Sequence, residues 1–378
     1  MRKSKAFLYN ALLLVAVSLI MRTVGIYFNV YISNKIGAVA MGVFSLVSGI
    51  YGFGITLATS GVNLAVTRLV SEALGREQPG EIRRIMTRCV LYAAGFGLLA
   101  AVLLLSLAET IAFRWLDDLR TTRPLRLLAL ALPLISVTSA LNGYFTAIRK
   151  VYKNAITVFV EQCIRIFCTV LLLGSLLPSG VEYSCIALAG GAVLAELSSL
   201  IIMSVLYLLD PGRKRRERPS EKRYIGKILG ITLPVAFSSY VRSGLLSVEH
   251  SLIPSGLKKY GASSETSLAI YGTLSSMVFP VVLFPAVFLT SFSGLLVPEL
   301  AESRARGNKA RIGRIVSRIM RLTLLFSVGV GGIMLCYARE LGAVLYKNSA
   351  YAGTYISLLA PLVPVMYLDS MTDVMLKG

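Results

Sequence analysis

Long apolar segments separated by short polar ones run along the whole chain. The segment Ala6–Ile32 begins the pattern, and Val90–Leu107 and Val193–Leu209 repeat it. Because a helix rises 1.5 Å per residue, about 20 apolar residues cross the hydrocarbon core of a bilayer. Ten segments approach or exceed this length and predict transmembrane helices: Phe7–Ile32, Val39–Val66, Cys89–Leu107, Pro124–Ile148, Ala155–Leu177, Tyr183–Leu209, Ile225–Ile253, Leu268–Val297, Ile319–Tyr337 and Thr354–Leu376. The pattern therefore predicts an all-α, polytopic membrane protein.

Composition and charge agree with this fold class. Hydrophobic residues make up 55% of the chain and charged residues 15%, which is too apolar for an ordinary soluble domain. If the N-terminus is cytoplasmic, the cytoplasmic segments and adjoining helix ends hold 26 Lys and Arg, whereas the outer ones hold 9. We therefore predict a multi-pass protein of the bacterial cell membrane with a cytoplasmic N-terminus. Topology and attraction to membrane lipids explain the net charge of +20, so no nucleic-acid partner is expected.

The sequence also contains an internal repeat. A shift of 230 positions places Glu81–Arg88 opposite Arg311–Arg318, and it places Gly42 opposite Gly272. Six predicted helices separate the paired positions. Because this number is even, the two halves have the same orientation in the membrane and are related by an axis along its normal.

The repeat predicts two pseudo-symmetric helical lobes around a central cavity. The N-terminal lobe is predicted to span residues 1–209 with helices 1–6, and a basic cytoplasmic linker follows at 210–224. The C-terminal lobe is predicted to span 225–378 with helices 7–10. If each lobe holds six helices, the second lobe is incomplete here, and two further helices are expected beyond Gly378.

Four sequence segments carry a family resemblance. They are AVTRLVSE at the end of Gly37–Glu72, LNGYFTAIRK at Leu141–Lys150, EQCIR at Glu161–Arg165, and the series LIPSGL, YG, FP and LLVPEL within Leu252–Leu300. In this order and spacing they resemble the polysaccharide-biosynthesis flippases of the multidrug/oligosaccharidyl-lipid/polysaccharide (MOP) exporter superfamily. Within that superfamily the chain looks closest to the stage V sporulation protein B-like group and is similar to the MurJ-type lipid II flippases.

The resemblance implies two six-helix lobes that export undecaprenyl-diphosphate-linked glycans. The lipid II subgroup has additional arginines at the positions that are Phe28, Ile55 and Ser275 here, whereas its first-helix arginine corresponds to Arg22. The resemblance therefore implies an anionic, lipid-linked glycan partner without identifying the glycan.

Arg22 and Arg242 are the main candidates for binding that substrate. Each lies past the middle of the first helix of its predicted lobe, and a shift of 220 aligns them. A charge inside a span normally faces a cavity or a partner, and guanidinium groups bind phosphate oxygens bidentately. The alternative is that these side chains extend to the headgroups or cap backbone carbonyls.

Charged residues in helices 5 and 6 form a second candidate group. Glu161 and Arg165 are four residues apart, so they share a helix face. They predict either a self-neutralising pair or a substrate-binding arginine oriented by a carboxylate. Glu196, in the middle of helix 6, is predicted to be a partner of an arginine or a proton or cation site.

Two asparagines complete the candidate set in supporting roles. Asn63 belongs to a polar patch of the second helix, and Asn142 lies in the fourth. Hydrogen bonding between helices accounts for both. The chain has one histidine, His250, and its five cysteines lack metal-type spacing, so no metal or other cofactor is expected.

Three functions compete on these observations. The preferred one is an alternating-access flippase for undecaprenyl-diphosphate-linked precursors of peptidoglycan, spore cortex or polysaccharide. The alternative is a cation-coupled multidrug exporter of the same superfamily, and either would take a coupling cation or the membrane potential as its energy source. A membrane-embedded glycosyltransferase needs acidic residues at a membrane face, where Asp117–Asp118 is the only outer-loop pair. We therefore predict a transporter and not an enzyme.

Overall fold

The described part of the chain is helical. The computed structural model describes residues 2–59, 61–75, 79–210, 224–291, 309–347, 349 and 351–376, and no strand occurs among them. The α-helices are α1 (Arg2–Thr59), α2 (Val62–Gly75), α3 (Ile82–Thr110), α4 (Thr122–Ala129), α5 (Ala131–Ala147), α6 (Val151–Leu176), α7 (Val181–Leu208), α8 (Tyr224–Lys259), α9 (Ser264–Gly272), α10 (Phe279–Leu283), α11 (Ala286–Ser291), α12 (Lys309–Cys336), α13 (Ala338–Leu345), α14 (Ala352–Leu359) and α15 (Val363–Leu376). Two π-helical segments, Ile111–Trp115 and Thr273–Val278, extend α3 and join α9 to α10.

A glycine interrupts α1, which at 58 residues is far longer than one membrane crossing. Gly37 has φ 79° and ψ 172°, a conformation that side-chain-bearing residues rarely adopt. This break lies between the first two spans predicted from the sequence. A second glycine, Gly61, with φ 70°, separates α1 from α2.

The number of membrane-spanning helices differs from the predicted ten. Among the described residues, eight helices are long and apolar enough to cross a bilayer, and a pair bent by 40°, Leu119–Ala129 with Ala131–Ala147, would be the ninth. Part of the difference lies in Leu19–Gly75, which counts once as a 57-residue helix although the sequence predicts two spans there. Counting the parts of α1 before and after Gly37 as one helix therefore accounts for one span of the difference.

The residues pack into two compact units. One unit comprises Met1–Gly42 with Leu268–Gly378, and the other is Val43–Ser267. These boundaries differ from those of the lobes at residues 1–209 and 225–378, which remain a prediction. The predicted linker at 210–224 falls almost wholly outside the described residues.

The core of the unit Val43–Ser267 lies among α2, α3 and α5. Its large buried side chains include Met86, Tyr144 and Phe145. Small residues bring the backbones together, since a Cβ on Gly143 would lie 2.6 Å from the carbonyl oxygen of Asn63. Close approach through small residues is typical of helix packing in membranes.

The other unit is built around interrupted helices. The buried hydroxyl of Tyr346 donates to the carbonyl of Met277 at 2.7 Å, and that of Tyr367 donates to the carbonyl of Val282 at 2.6 Å. Met277 lies in the π-helical segment Thr273–Val278. Side chains thus satisfy backbone acceptors in a region where the helix is irregular, as a membrane interior requires.

Two glycines that the repeat pairs with each other are in contact. A Cβ on Gly272 would meet the backbone of Gly42 and the carbonyl of Ala38, and a Cβ on Gly42 would meet the carbonyl of Leu268. The helices α1 and α9 therefore approach at a point where only glycine fits.

Candidate functional site

Arg22 lies on α1, 20 residues after its first residue, in the unit that contains Met1–Gly42. Its side chain is exposed, and it forms no ion pair with any residue that the structure describes. A cation in this position, within a helix that is apolar enough to span a membrane, needs water, a headgroup or an anionic ligand.

Arg242 lies on α8, 18 residues after Tyr224, in the unit Val43–Ser267. It too is exposed and forms no ion pair within the described ranges. Both arginines are thus exposed, and neither forms an ion pair among the described residues. They lie 20 and 18 residues after the first residue of their helices. Their assembly into one site remains a prediction.

Arg165 differs from them because it is engaged by carboxylates. Its Nη2 donates to Oε1 of Glu161 at 2.8 Å and to Oε1 of Glu196 at 3.4 Å. Glu161 and Arg165 lie on α6, whereas Glu196 lies on α7, so the cluster joins two helices. The carboxylate side chains are 19% and 16% exposed, and that of Arg165 is 35% exposed.

This Glu161–Arg165–Glu196 cluster contains two carboxylates and one guanidinium. With all three groups ionised it carries one excess negative charge, and this favours a proton or a cation over an anion. Arg165 is therefore less available to an anionic substrate than Arg22 or Arg242.

Tyr51 joins the cluster from α1, a residue that the sequence interpretation missed. Its hydroxyl lies within electrostatic reach of Glu161, Arg165 and Glu196. The Tyr51 hydroxyl and Arg165 Nε are buried, and neither has a hydrogen-bond partner among the described residues. In the sequence, Tyr51 is a tyrosine between Gly49 and Gly52 in an apolar helix, and this pattern alone does not indicate a functional residue. Water or a cation would satisfy the free oxygen.

Asn63 and Asn142 connect helices near the core. The side-chain amide of Asn63, on α2, donates to the carbonyl of Ser139 on α5 at 3.2 Å. The carbonyl of Asn142 accepts from the side-chain amide of Asn154 on α6 at 3.1 Å, while its own Oδ1 is buried without a partner. The Asn63 side chain thus forms a hydrogen bond between helices, whereas Asn142 takes part through its backbone carbonyl, and the supporting roles of both remain a prediction.

A polar seam, missed from the sequence, joins α8 to the C-terminal part of α1. The Ser247 hydroxyl donates to the Gly49 carbonyl at 2.9 Å, and the hydroxyls of Thr56 and Ser243 are 3.1 Å apart. The two serines are four residues apart on α8, so they share one face. Single hydroxyl contacts of this kind each contribute little to stability, about 1 kcal/mol or less.

An ion pair lies beyond this seam, at the C-terminal end of α8. Nζ of Lys258 donates to Oδ2 of Asp117 at 2.8 Å, and Asp117 has a positive φ of 50° in the turn after α3. The sequence orientation predicts that this end of α8 is external.

No metal site is apparent among the described residues, where no group of three or more His, Cys, Asp and Glu side chains is arranged to hold an ion. The five cysteines are all free.

Comparisons with known proteins identify relatives of this chain. The sequence profile of the family described as polysaccharide biosynthesis protein matches residues 7–303. Stage V sporulation protein B of Bacillus subtilis (strain 168) is 25% identical over 380 residues, which cover 99% of this chain and 73% of that protein. Sporulation protein YkvU of the same organism is 21% identical over 346 residues, which cover 88% of this chain and 74% of the relative.

Solved structures show the fold. An inward-facing multidrug resistance MATE family transporter of the MOP superfamily aligns with a TM-score of 0.74 at 12% identity, covering 95% of this chain and 81% of the transporter. A eukaryotic MATE transporter aligns with a TM-score of 0.65 at 14% identity, covering 100% and 82%. The predicted all-α, two-lobed membrane fold is thus confirmed, although the count of ten helices is not.

None of these relatives points to an enzyme, in agreement with the sequence prediction. The match of the family profile over most of the chain establishes that the chain belongs to the polysaccharide biosynthesis protein family.

Proposed function

We propose that this protein is a flippase that moves undecaprenyl-diphosphate-linked glycan precursors across the bacterial cell membrane. Membership of the polysaccharide biosynthesis family supports the transport of a glycan precursor. The observation that carries the proposal is the pair Arg22 and Arg242, two exposed arginines without ion pairs among the described residues, each in a helix able to span a membrane.

The chemistry of these residues suits a diphosphate. A guanidinium remains charged in an apolar environment and offers two parallel N–H donors to phosphate oxygens. An anionic headgroup would supply the missing counter-charge for both arginines. A cationic drug would be repelled by both arginines and would gain no stabilisation from them.

The repeat and the charge distribution support a transport cycle. Two lobes with the same orientation are suited to alternating access, in which a central site opens first to one side and then to the other. With the N-terminus in the cytoplasm, the substrate would load from the inner leaflet, where lipid-linked precursors are assembled. Differential pairing of the arginines with the diphosphate would favour the closed, loaded state.

The excess negative charge at the Glu161–Arg165–Glu196 cluster supports coupling to a proton or a cation. The same charge favours the alternative function, a cation-coupled multidrug exporter, because a spare carboxylate also attracts cationic substrates. The unpaired arginines favour the flippase, since they have no role in binding cations. The substrate panel described next distinguishes these alternatives.

The test is transport by the purified chain in proteoliposomes. Fluorescent undecaprenyl-diphosphate glycans are supplied in one leaflet, and their appearance in the other is measured for wild type, Arg22→Gln and Arg242→Gln. A charge-assisted hydrogen bond contributes about 1.5–3 kcal/mol, so each substitution should lower transport about 10- to 100-fold. Arg339→Gln is the control, because Arg339 is an exposed arginine on the short helix α13.

Two outcomes would contradict the proposal. If both variants transport the glycan lipid at the wild-type rate, the arginines are structural. If wild type exports cationic dyes but leaves the glycan lipid in place, the multidrug function is correct.

A further inference from the structure

Four polar residues form a stripe on α12. Arg314, Ser317, Arg318 and Arg321 are spaced three or four residues apart, so they lie on one face of the helix, and all four are exposed. We call these residues the arginine stripe. They line an open groove of about 630 Å³ together with Ala310, Gly313 and Leu322.

Three arginines line the groove, and among the described residues its lining contains no carboxylate. Arg314 Nε donates to the carbonyl of Ala310 at 3.4 Å, which leaves its charge unbalanced. Arg318 and Arg321 form no ion pair within the described ranges, and the lining of the groove contains no Asp or Glu. Three neighbouring guanidinium groups repel one another, and a bound anion would relieve that repulsion.

Small residues leave space beside these arginines. Ala310, Gly313 and Ser317 line the same groove, and a Cβ added to Gly313 would meet nothing within 4 Å. Among the described residues, the guanidinium groups therefore border open volume.

Comparison with the first half of the repeat indicates that the positive-inside rule does not account for the whole arginine stripe. Arg88 of α3 corresponds to Arg318 under the shift of 230, whereas the position corresponding to Arg321 is Leu91. Both halves thus carry a basic helix start, as the positive-inside rule requires, but only the second half places an arginine one turn deeper. Arg321 lies 12 residues after Lys309, which is about 18 Å along the helix. It therefore lies beyond the polar first turns of α12 and within the predicted span Ile319–Tyr337.

We propose that the arginine stripe binds the diphosphate of a polyprenyl-linked substrate at the cytoplasmic surface of the membrane, before transport. The inference rests on the proposed function and assigns it a loading site. Residues three or four apart on a helix have Cβ atoms about 5–6 Å apart, so adjacent arginines can each hold one phosphate group of a diphosphate. Phosphatidylglycerol offers a single phosphate and would use the stripe only in part.

Binding to the purified chain in nanodiscs tests the proposal. The probe is polyprenyl diphosphate without a glycan, compared with polyprenyl monophosphate and phosphatidylglycerol, and bound lipid is counted by native mass spectrometry. Arg318→Gln with Arg321→Gln should weaken binding of the diphosphate about tenfold or more. The matched control Arg88→Gln, at the repeat-related position, should change it about twofold or less.

Transport in proteoliposomes is measured on the same variants. A loading site predicts a raised KM for the glycan lipid with kcat nearly unchanged, because the stripe binds substrate before the rate-determining movement. A general loss of folding would instead lower the amount of active protein and therefore the apparent kcat.

The outcomes separate this inference from the proposed function. If the double variant binds diphosphate as wild type does, or if it loses phosphatidylglycerol equally, the assignment is overturned while transport by wild type still supports a flippase. If wild type binds the diphosphate through the stripe but moves no glycan lipid, the stripe is a diphosphate site and the proposed function is wrong.

Discussion

At the scale of residues, the Glu161–Arg165–Glu196 cluster is the most informative feature. One guanidinium bridges carboxylates from two helices, so its removal would leave two like charges close together in a weakly hydrated place. The two carboxylates are not equivalent, because Glu161 is the nearer partner at 2.8 Å and Glu196 the farther at 3.4 Å.

Arg165→Gln should therefore destabilise the protein. Because the side chain is about one-third exposed, we expect a loss of about 1–2 kcal/mol, which is less than for a fully buried pair. Thermal midpoints in detergent, followed by size-exclusion fluorescence, would fall by several degrees. Glu196→Gln should leave the midpoint nearly unchanged, because Arg165 and Glu161 then form a neutral pair.

Combining the two substitutions provides the control. Arg165→Gln with Glu196→Gln removes one of the stranded carboxylates and should recover part of the lost stability. If Glu196→Gln alone destabilises as strongly as Arg165→Gln, excess negative charge is not the governing feature of the cluster, and its proposed role in cation coupling loses its support.

At the scale of elements, the contact between α1 and α9 depends on two glycines. A Cβ on Gly272 would collide with backbone atoms of Gly42 and Ala38, and backbone cannot move aside as a flexible side chain can. The repeat pairs Gly42 with Gly272, and residues related by a two-fold axis contact each other only beside that axis. The repeat therefore predicts that the pseudo-two-fold axis passes between them.

Gly272→Ala should separate these two helices and lower the yield of folded protein. Overpacking typically costs about 1–3 kcal/mol, and the backbone contacts favour the upper part of that range. The measurement is the thermal midpoint together with the monodisperse fraction on size exclusion. Gly52→Ala is the matched control, because a Cβ on Gly52, in α1, meets nothing within 4 Å. Equal behaviour of the two variants would show that this helix contact is not a determinant of stability.

At the scale of the whole molecule, alternating access requires the external ends of the predicted lobes to separate. Asp117 belongs to the predicted N-terminal lobe and Lys258 to the C-terminal one, and they form an ion pair. Because Asp117 is well exposed, the pair contributes little stability and would break during the proposed cycle.

Asp117→Cys with Lys258→Cys, in a cysteine-free background, should allow this movement to be blocked. A membrane-impermeant, bifunctional thiol reagent applied to intact cells should join the two positions and stop transport, and reduction should restore it. The result tests topology as well, since the reagent reaches only external residues. Transport that continues after complete cross-linking would contradict a cycle in which these ends separate.

The control pair lies at the opposite predicted face. Arg68 and Glu72 form an exposed pair four residues apart on α2, at its predicted cytoplasmic end. Arg68→Cys with Glu72→Cys should resist the reagent in intact cells and react in inverted vesicles. Transport should survive that reaction because both positions lie on one helix. Reaction from the outside would reverse the assigned orientation.

The sequence by itself determined the fold class and identified Arg22 and Arg242 as candidate binding residues. A bilayer leaves backbone groups no water to bond with, so a run of about 20 apolar residues implies a helix whatever surrounds it. An arginine within such a run is informative for the same local reason, and Arg22 and Arg242 are visible without any tertiary contact. The repeat also pointed to Gly42 and Gly272 as equivalent positions, although it did not show that they touch.

Only the tertiary structure decided which helices supply the partners. The spacing of Glu161 and Arg165 is a property of one helix, but Glu196 and Tyr51 come from α7 and α1, and no local pattern specifies contacts between distant helices. The same holds for the groove beside the arginine stripe, because an exposed arginine and a buried one look alike in a sequence. Burial and proximity depend on how the helices pack, and for that reason the grouping of two carboxylates around Arg165 became visible only in the folded molecule.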